Sequence, residues 1–90
     1  MAGHVVIIMG SKSDLGHVNK ITAQLEAFAI AYDRHVASAH KSVRHVLSLL
    51  ARYAKYEGPL VFITVAGRSN ALGGMVDANT SHPVITCPPL

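Results

Sequence analysis

A chain of 90 residues suffices for one small domain, and a composition that is half hydrophobic and 14% charged excludes an intrinsically disordered segment. The formal net charge of +3 comes from scattered Lys and Arg residues, which argues against a nucleic-acid-binding surface. The single cysteine, Cys87, excludes an internal disulfide, and we find neither a signal peptide nor an apolar run of membrane-spanning length. We therefore expect a cytoplasmic protein, and so little charge on so apolar a domain predicts contacts between subunits.

The first half of the chain predicts a strand, a helix and a second strand. Residues 5–9 form an apolar run closed by Gly10, as expected of a strand buried on both faces. A helix follows over 14–28, and Ser13 or Asp14 can cap its start. Its apolar positions at helical spacing are Leu15, Val18, Ile21, Leu25 and Phe28. Residues 32–37 read as the second strand.

The second half continues the alternation. A helix is predicted over 42–56, with Gly58 just beyond its end. Its predicted apolar face comprises Val43, Val46, Leu47, Leu50 and Ala54. A third strand over 60–65, a short helix over 70–79 weakened by Gly73 and Gly74, and a fourth strand over 84–86 complete the order.

Strands that alternate with helices predict parallel pairing through right-handed crossovers. We therefore expect an α/β fold, a three-layer α/β/α sandwich around an open parallel sheet of the flavodoxin-like or Rossmann-like kind. Residues 1–90 form a single domain in this interpretation. Such a sheet normally adds further elements after the point where Cys87-Pro88-Pro89-Leu90 ends the sequence, so we expect a domain truncated at its C-terminus.

Three polar turns follow the first three strands: residues 10–14, 38–41 and 66–70. In an open parallel sheet such turns share one rim, where ligands bind. Each turn is rich in small donors or carries a base or cation, so together they predict a site for a small anionic molecule. The alternative is that Ser13, Asp14 and Asn70 only cap helices and that His40 is an exposed loop residue.

Each turn favours a particular contribution to such a site. Ser11 and Ser13 stand at a predicted helix N-terminus, which attracts phosphate, although the spacing fits neither a P-loop nor a dinucleotide-binding turn. A neutral His40 can take up and return a proton, with Lys41 beside it to hold an anion. Arg68 can clamp a carboxylate or phosphate. The other histidines lack metal-ligand spacing, and Cys87 has no base near it in sequence, so we expect no metal site.

The three turns, as Met9-Gly-Ser-Lys-Ser-Asp14, Ser38-Ala-His-Lys41 and Ala66-Gly-Arg-Ser-Asn70, resemble those of the phosphoribosylaminoimidazole carboxylase family of purine biosynthesis, as does the closing Pro83-Val-Ile-Thr-Cys-Pro-Pro89. Mutases of this family usually carry Ser-Ala-His-Arg and a later His-Leu-Pro-Gly. Lys41 and the run that begins at Arg68 depart from both patterns. The chain therefore resembles the branch (class II) that carboxylates aminoimidazole ribonucleotide directly with carbon dioxide.

The resemblance implies a role for each matching residue. It makes His40 the group that transfers the proton. It implies phosphate binding by Ser11, Ser13, Ser38 and Lys41, and contact between Asp14 and the ribose. The remaining implied substrate-binding positions are Ala39 beside the histidine and Ala66, Gly67, Arg68 and Ser69 around the imidazole and the new carboxylate.

The implied reaction is carboxylation at C4 to give carboxyaminoimidazole ribonucleotide, with no cofactor. The ribonucleotide and carbon dioxide are the expected partners, nucleic acid and membrane are not, and the resemblance implies a homo-octamer. Three alternatives stay open: a mutase acting on the N-carboxylated ribonucleotide, a non-catalytic nucleotide-phosphate-binding domain, and a flavin binder, which the lack of aromatic residues at the turns disfavours.

Overall fold

The computed structural model describes residues 3–39, 42–66 and 71–87. The strands are β1 (His4–Met9), β2 (Ala31–Val36), β3 (Leu60–Val65) and β4 (Val84–Thr86). The helices are α1 (Leu15–Ala27), α2 (Val43–Tyr53) and α3 (Ala71–Ala78), and a 3-10 turn (Lys12–Asp14) leads into α1. The predicted alternation of strands and helices is confirmed, with most boundaries within one residue.

The four strands form one parallel sheet in the order β2-β1-β3-β4. The pairing aligns His4 with Ala31 on one side of β1 and with Leu60 on the other. This strand order is that of the flavodoxin-like fold. The chain leaves β1 toward β2 and then crosses back over β1 to reach β3.

The sheet is covered on both faces, which confirms the predicted three layers. Val6 and Ile8 of β1 belong to one buried cluster, with side chains of α2 and α3. Ile7 and Met9 belong to a second cluster on the opposite face, with Val18 of α1. These four β1 residues are at most 2% exposed, as expected of a central strand with apolar residues on both sides.

The buried face of α2 differs from the prediction. Its buried residues are Val46, Leu49, Leu50 and Tyr53. Val43 and Leu47 are 43% and 41% exposed, and Ala54 lies beyond the last helical residue and is exposed. The face is rotated because Tyr53 packs its ring edge-on against Phe62, with 6.0 Å between ring centroids. The predicted apolar face of α2 does not include Tyr53.

Helix α1 buries a narrower stripe than predicted. Val18 is fully buried, whereas Leu15 and Phe28 at the two ends are exposed. Thr22 is buried instead, and its hydroxyl donates to the Asn19 carbonyl oxygen at 3.2 Å, which satisfies the hydroxyl within the helix. Ile21 and Leu25, as predicted, pack against the core cluster while partly exposed.

Gly58 has a different role from the predicted one. Helix α2 ends at Tyr53 with Ala54 as its C-cap, so Gly58 is not the capping residue. Its φ of 127° lies in the region that favours glycine. The glycine therefore serves the turn that leads into β3.

The C-terminus of α1 carries a conformation that glycine usually supplies. Ala29 has a φ of 56°, its N–H donates to the Glu26 carbonyl at 3.0 Å, and the Ile30 N–H donates to the Leu25 carbonyl at 2.8 Å. These two bonds define a Schellman motif with alanine at the left-handed position.

We expect Ala29→Gly to stabilise the fold by about 1 kcal/mol, because glycine removes the Cβ strain of the left-handed conformation. Chemical denaturation measures the change. Ala27→Gly, inside the last turn of the same helix, is the matched control and should destabilise by about 1 kcal/mol. Equal effects of the two substitutions would contradict the assignment of strain to Ala29.

Candidate active site at the carboxyl rim

Backbone hydrogen bonds continue past the carboxyl ends of the strands and align the turns that follow them. The Ala37 N–H donates to the Met9 carbonyl at 2.8 Å, and the Gly10 N–H donates to the Val65 carbonyl at 2.9 Å. The Cys87 N–H likewise donates to the Thr64 carbonyl at 2.9 Å. The starts of the three polar turns therefore lie side by side along one rim.

The strand order reverses between β1 and β3 at this rim. Gly10 follows β1 and Ala66 follows β3, and a Cβ placed on Gly10 would lie 3.7 Å from the Cβ of Ala66. In open α/β sheets, ligands bind at such a reversal point. Gly10 and Ala66, the first residues of the first and third turns, therefore lie side by side at this reversal point.

Asp14 occupies the predicted N-cap position of α1 but makes no side-chain capping bond there. The capping bonds of the first turn centre on Ser11, which caps the 3-10 turn. The Ser11 Oγ accepts from the Ser13 N–H at 3.2 Å and from the Ser13 hydroxyl at 3.0 Å. The Asp14 carboxylate accepts from the Ser11 N–H at 3.2 Å, which completes a capping box. Within the described part of the chain, no acceptor takes the Ser11 hydroxyl proton, so Ser11 presents a donor at the rim.

Asp14 is the buried polar residue of this turn, with 8% of its surface exposed. Its carboxylate is oriented by the Ser11 N–H, and its own N–H donates to the Ser11 carbonyl at 3.0 Å. The reciprocal bonds fix the turn without any ligand. Capping and ligand binding are therefore compatible uses of the same residues.

The structure describes the first two residues of the second turn and the residue that follows it, Ser42. Ser38 and Ala39 are half-buried, and Ala39 packs against the cluster formed with α2 and α3. The Ser38 carbonyl accepts from the Ser42 N–H at 2.9 Å, one residue before α2 begins. His40 and Lys41 lie outside the described residues.

Of the third turn, the structure describes only its first residue, Ala66. Ala66 is half-buried and packs against the cluster formed with α2 and α3. Gly67, Arg68, Ser69 and Asn70 lie outside the described residues. Helix α3 begins at Ala71 and stays continuous through Gly73 and Gly74, with Gly73 buried. The structure thus brings Ser11, Ser13, Asp14, Ser38, Ala39 and Ala66 to one rim.

One contact near the rim was missed because it joins distant parts of the chain. The Cys87 Sγ lies 3.7 Å from the His17 Nε2, although we had found no base near Cys87 in sequence. Cys87 also packs against the buried cluster on the α1 face. His17 lies on α1, so the two residues meet only because α1 packs across the sheet.

A second group of polar side chains lies between α2 and the sheet. The Asp33 Oδ2 accepts from the Tyr53 hydroxyl at 2.7 Å and from the His4 Nε2–H at 2.9 Å. The His35 Nε2 lies 2.9 Å from the same Tyr53 hydroxyl. We call these four residues the Tyr53 network. It joins β1, β2 and α2, and no motif in the sequence signals it.

The environment of the Tyr53 network shifts three pKa values. Burial, followed by the bond to Asp33, raises the pKa of Tyr53 to about 12. Hydrogen bonds from Tyr53 and His4 lower the pKa of Asp33. Burial lowers the pKa of His35, against the opposing effect of Asp33. At neutral pH the network therefore holds a carboxylate, a neutral phenol and a neutral His35.

Within residues 3–39, 42–66 and 71–87, no three His, Cys, Asp or Glu side chains are grouped so that they could hold a metal ion. No helix in this part of the chain is long and apolar enough to cross a membrane.

The strand order defines a flavodoxin-like α/β protein, and its polar turns begin along one rim of the sheet. The family model for AIR carboxylase matches residues 4–90. The chain belongs to the AIR carboxylase family.

Curated relatives and solved structures agree with this assignment. The chain is 48% identical over 85 residues to a phosphoribosylaminoimidazole carboxylase from Treponema denticola, covering 94% of the chain and 54% of the relative. A protein of the same name from Archaeoglobus fulgidus is 56% identical over 84 residues, covering 93% and 46%. The crystal structure of Treponema denticola PurE superposes with a TM-score of 0.94 at 47% identity, covering 97% of this chain and 55% of that one. The chain thus spans about half the length of these relatives.

Proposed function

We propose that the protein carboxylates aminoimidazole ribonucleotide at C4 with carbon dioxide in purine biosynthesis. The observation that carries the proposal is the position of the Ser11–Asp14 turn at the aligned carboxyl ends of the strands, beside Gly10 and Ala66 where the strand order reverses. Membership of the AIR carboxylase family supports the chemistry. Lys41 in place of the mutase arginine favours direct use of carbon dioxide.

The binding roles follow from the rim. The Ser11 hydroxyl and the other donors of the first turn, Ser13 among them, suit the 5′-phosphate. Ser38 and Lys41 contact the same phosphate. Asp14 has a carboxylate held in place by the Ser11 N–H, which suits a contact to a ribose hydroxyl. Ala39 contacts the substrate beside His40. Ala66, Gly67, Arg68 and Ser69 of the third turn surround the imidazole and the carboxylate.

The reaction is a proton-for-carboxylate exchange at C4. The electron-rich aminoimidazole attacks carbon dioxide through C4, the new carbon–carbon bond forms, and one carbon–oxygen π pair becomes the carboxylate charge. His40 then takes the C4 proton, which restores the aromatic ring. The protein holds the phosphate, orients the ring and limits water, so the chemistry requires no cofactor.

The proposal extends to the setting of the enzyme. We infer a cytoplasmic homo-oligomer, an octamer by family resemblance. The exposed apolar side chains support subunit contacts, Phe28 most of all at 74% exposed.

The test is to mix the purified chain with aminoimidazole ribonucleotide and labelled bicarbonate, without ATP, and to look for label at C4. Label at C4 is the expected result. Turnover of the N-carboxylated ribonucleotide in preference to bicarbonate would instead identify a mutase. Tight ribonucleotide binding with no turnover of either substrate would identify a non-catalytic binding domain.

Gly10→Ala should weaken ribonucleotide binding at least about tenfold, because it adds a methyl group at the reversal point where such sheets bind their ligands. The fold should tolerate the change, since the new Cβ would meet its nearest neighbours at 3.7 and 3.8 Å, which is ordinary contact. Calorimetric titration measures the binding.

Gly16→Ala is the matched control, because a Cβ at Gly16 meets nothing within 4 Å. It should leave binding unchanged and raise stability by about 0.5–1 kcal/mol. Equal affinity of the Gly10→Ala variant and the parent would place the ligand elsewhere.

A further inference from the structure

Helix α1 lies across the point where the strand order reverses. On one side, the Arg34 guanidinium of β2 donates to the Asn19 Oδ1 of the helix at 3.0 Å. On the other side, the Cys87 Sγ, one residue beyond β4, lies 3.7 Å from the His17 Nε2. Because the sheet order is β2-β1-β3-β4, these two contacts span β1 and β3 between them. The helix is therefore held from both sides of the reversal point.

The start of α1 has few side chains that fix its direction. Leu15 is 42% exposed, and Gly16 has no side chain. Val18 is fully buried, but aliphatic packing stabilises without direction, so a small shift of the helix would preserve much of it. Asp14 at the N-cap makes no side-chain bond to the helix. Among the residues that the structure describes, His17 thus supplies the polar contact that ties this end of α1 to the β4 side of the sheet.

Cys87 offers His17 a partner that is itself fixed. The Cys87 N–H donates to the Thr64 carbonyl of β3 at 2.9 Å, and the half-buried side chain packs against the core cluster on the α1 face. A thiol is a weak donor and its sulfur a weak acceptor, so the contact can form with either tautomer of His17. It joins the helix to a sulfur whose position the sheet determines.

The contact bears on the first polar turn of the rim. His17 lies three positions after Asp14, within one helical turn of it. Asp14 is the N-cap of α1, and its carboxylate accepts from the Ser11 N–H at 3.2 Å. A shift of the start of α1 would therefore move the Asp14 carboxylate and the Ser11 hydroxyl with it.

We propose that His17 is a positioning residue, whose contact with Cys87 holds the start of α1 against the carboxyl end of β4 and so sets the Ser11–Asp14 turn at the reversal point. A turn that is already in place binds its ligand without the cost of ordering it. This consequence for ribonucleotide binding rests on the proposed function. The consequence for the order of the turn does not.

Amide hydrogen exchange of the 90-residue chain tests the proposal. His17→Leu keeps a side chain of similar bulk and removes its polar atoms. We expect the opening constant of the Asp14 amide, which donates to the Ser11 carbonyl, to rise about three- to tenfold, as the loss of one hydrogen bond implies. The Ile30 amide at the other end of α1 should change less than about twofold. An equal rise at both amides would make His17 a general stabiliser of the helix and overturn the proposal.

Two further variants sharpen the test. Asn19→Leu is the matched control, because it removes a polar contact of the same helix on the β2 side. It should change the opening of the Asp14 amide less than about twofold. His17→Gln should retain the parent's protection, because the glutamine amide reaches about as far as Nε2 and can donate or accept. An effect of Asn19→Leu as large as that of His17→Leu, or no rescue by glutamine, would overturn the proposal.

Cys87→Ala removes the same contact from the other side, and it decides the matter if His17→Leu fails to fold. It should raise the opening constant of the Asp14 amide as His17→Leu does. The double variant should rise no further than the larger single effect, because both substitutions remove one shared contact. Additive effects would show that the two residues act separately and would overturn the proposal.

Calorimetric titration with aminoimidazole ribonucleotide is run in parallel on the same variants. Affinity should fall about three- to tenfold in His17→Leu and stay at the parent value in His17→Gln. Unchanged affinity in His17→Leu, despite a more open Asp14 amide, would overturn the consequence for binding. No binding by the parent would refute the proposed function, while the exchange results would still judge the positioning role.

Discussion

His40→Asn should lower the rate of C4 carboxylation by about 10²–10⁴-fold, the usual contribution of a positioned acid–base group. Asparagine retains a polar side chain of similar reach but cannot take the C4 proton. The loss should fall on turnover, and the dissociation constant for the ribonucleotide should change only a few-fold. Labelled-bicarbonate incorporation and calorimetric titration, run on the same preparation, separate the two quantities.

His45→Asn is the matched control for this experiment. His45 is an exposed residue in the first turns of α2, five positions further along the chain. Its replacement should leave the carboxylation rate within about twofold of the parent. Retention of more than a tenth of the parent rate by His40→Asn would assign the proton transfer to another group.

Phe62→Ala should destabilise the fold by about 3–5 kcal/mol, a large part of the stability of a domain of this size. Phe62 is fully buried in β3, and its ring meets the edge of Tyr53 on α2. It also lies 6.2 Å, centroid to centroid, from His82 in the loop before β4. Truncation would leave a cavity among elements that cannot easily close around it. Urea denaturation followed by circular dichroism measures the loss.

Phe28→Ala provides the control for Phe62 when both are measured on the dilute monomer, since Phe28 is 74% exposed in the single chain. It should change the free energy of unfolding by no more than about 0.5 kcal/mol. Should Phe62→Ala fail to fold, Phe62→Leu gives the measurable case, with a smaller loss in the same direction. A loss below 1 kcal/mol for Phe62→Ala would show that the core is not anchored at this residue.

The order of elements and the parallel sheet could be predicted because the signals are local. The apolar run of β1 and the turn residues that follow each strand mark boundaries without knowledge of the fold. The common rim then follows from the rule that parallel strands place their carboxyl ends together. Ser11, Asp14 and Ala66 lie where that rule put them.

The features that could not be predicted depend mostly on contacts between residues far apart in sequence. The buried face of α2 includes Tyr53, which the prediction left out. Its ring can be buried because Asp33 and His35 form hydrogen bonds with its hydroxyl. His17 meets Cys87 only because α1 crosses the sheet. The left-handed Ala29 carried no signal either, since alanine seldom occupies that conformation.

The all-parallel sheet also has a consequence for how the chain reaches this structure. Among the strands that the structure describes, none pairs with another before at least one helix has been traversed, so their folding cannot start from a β-hairpin. Of the strand pairs, β1 with β3 spans the longest stretch of chain and carries the largest loop-closure entropy. The approach of Gly10 to Ala66 at the reversal point forms only when that closure is complete. A ribonucleotide bound there should therefore slow unfolding of the chain while leaving its early collapse unaffected.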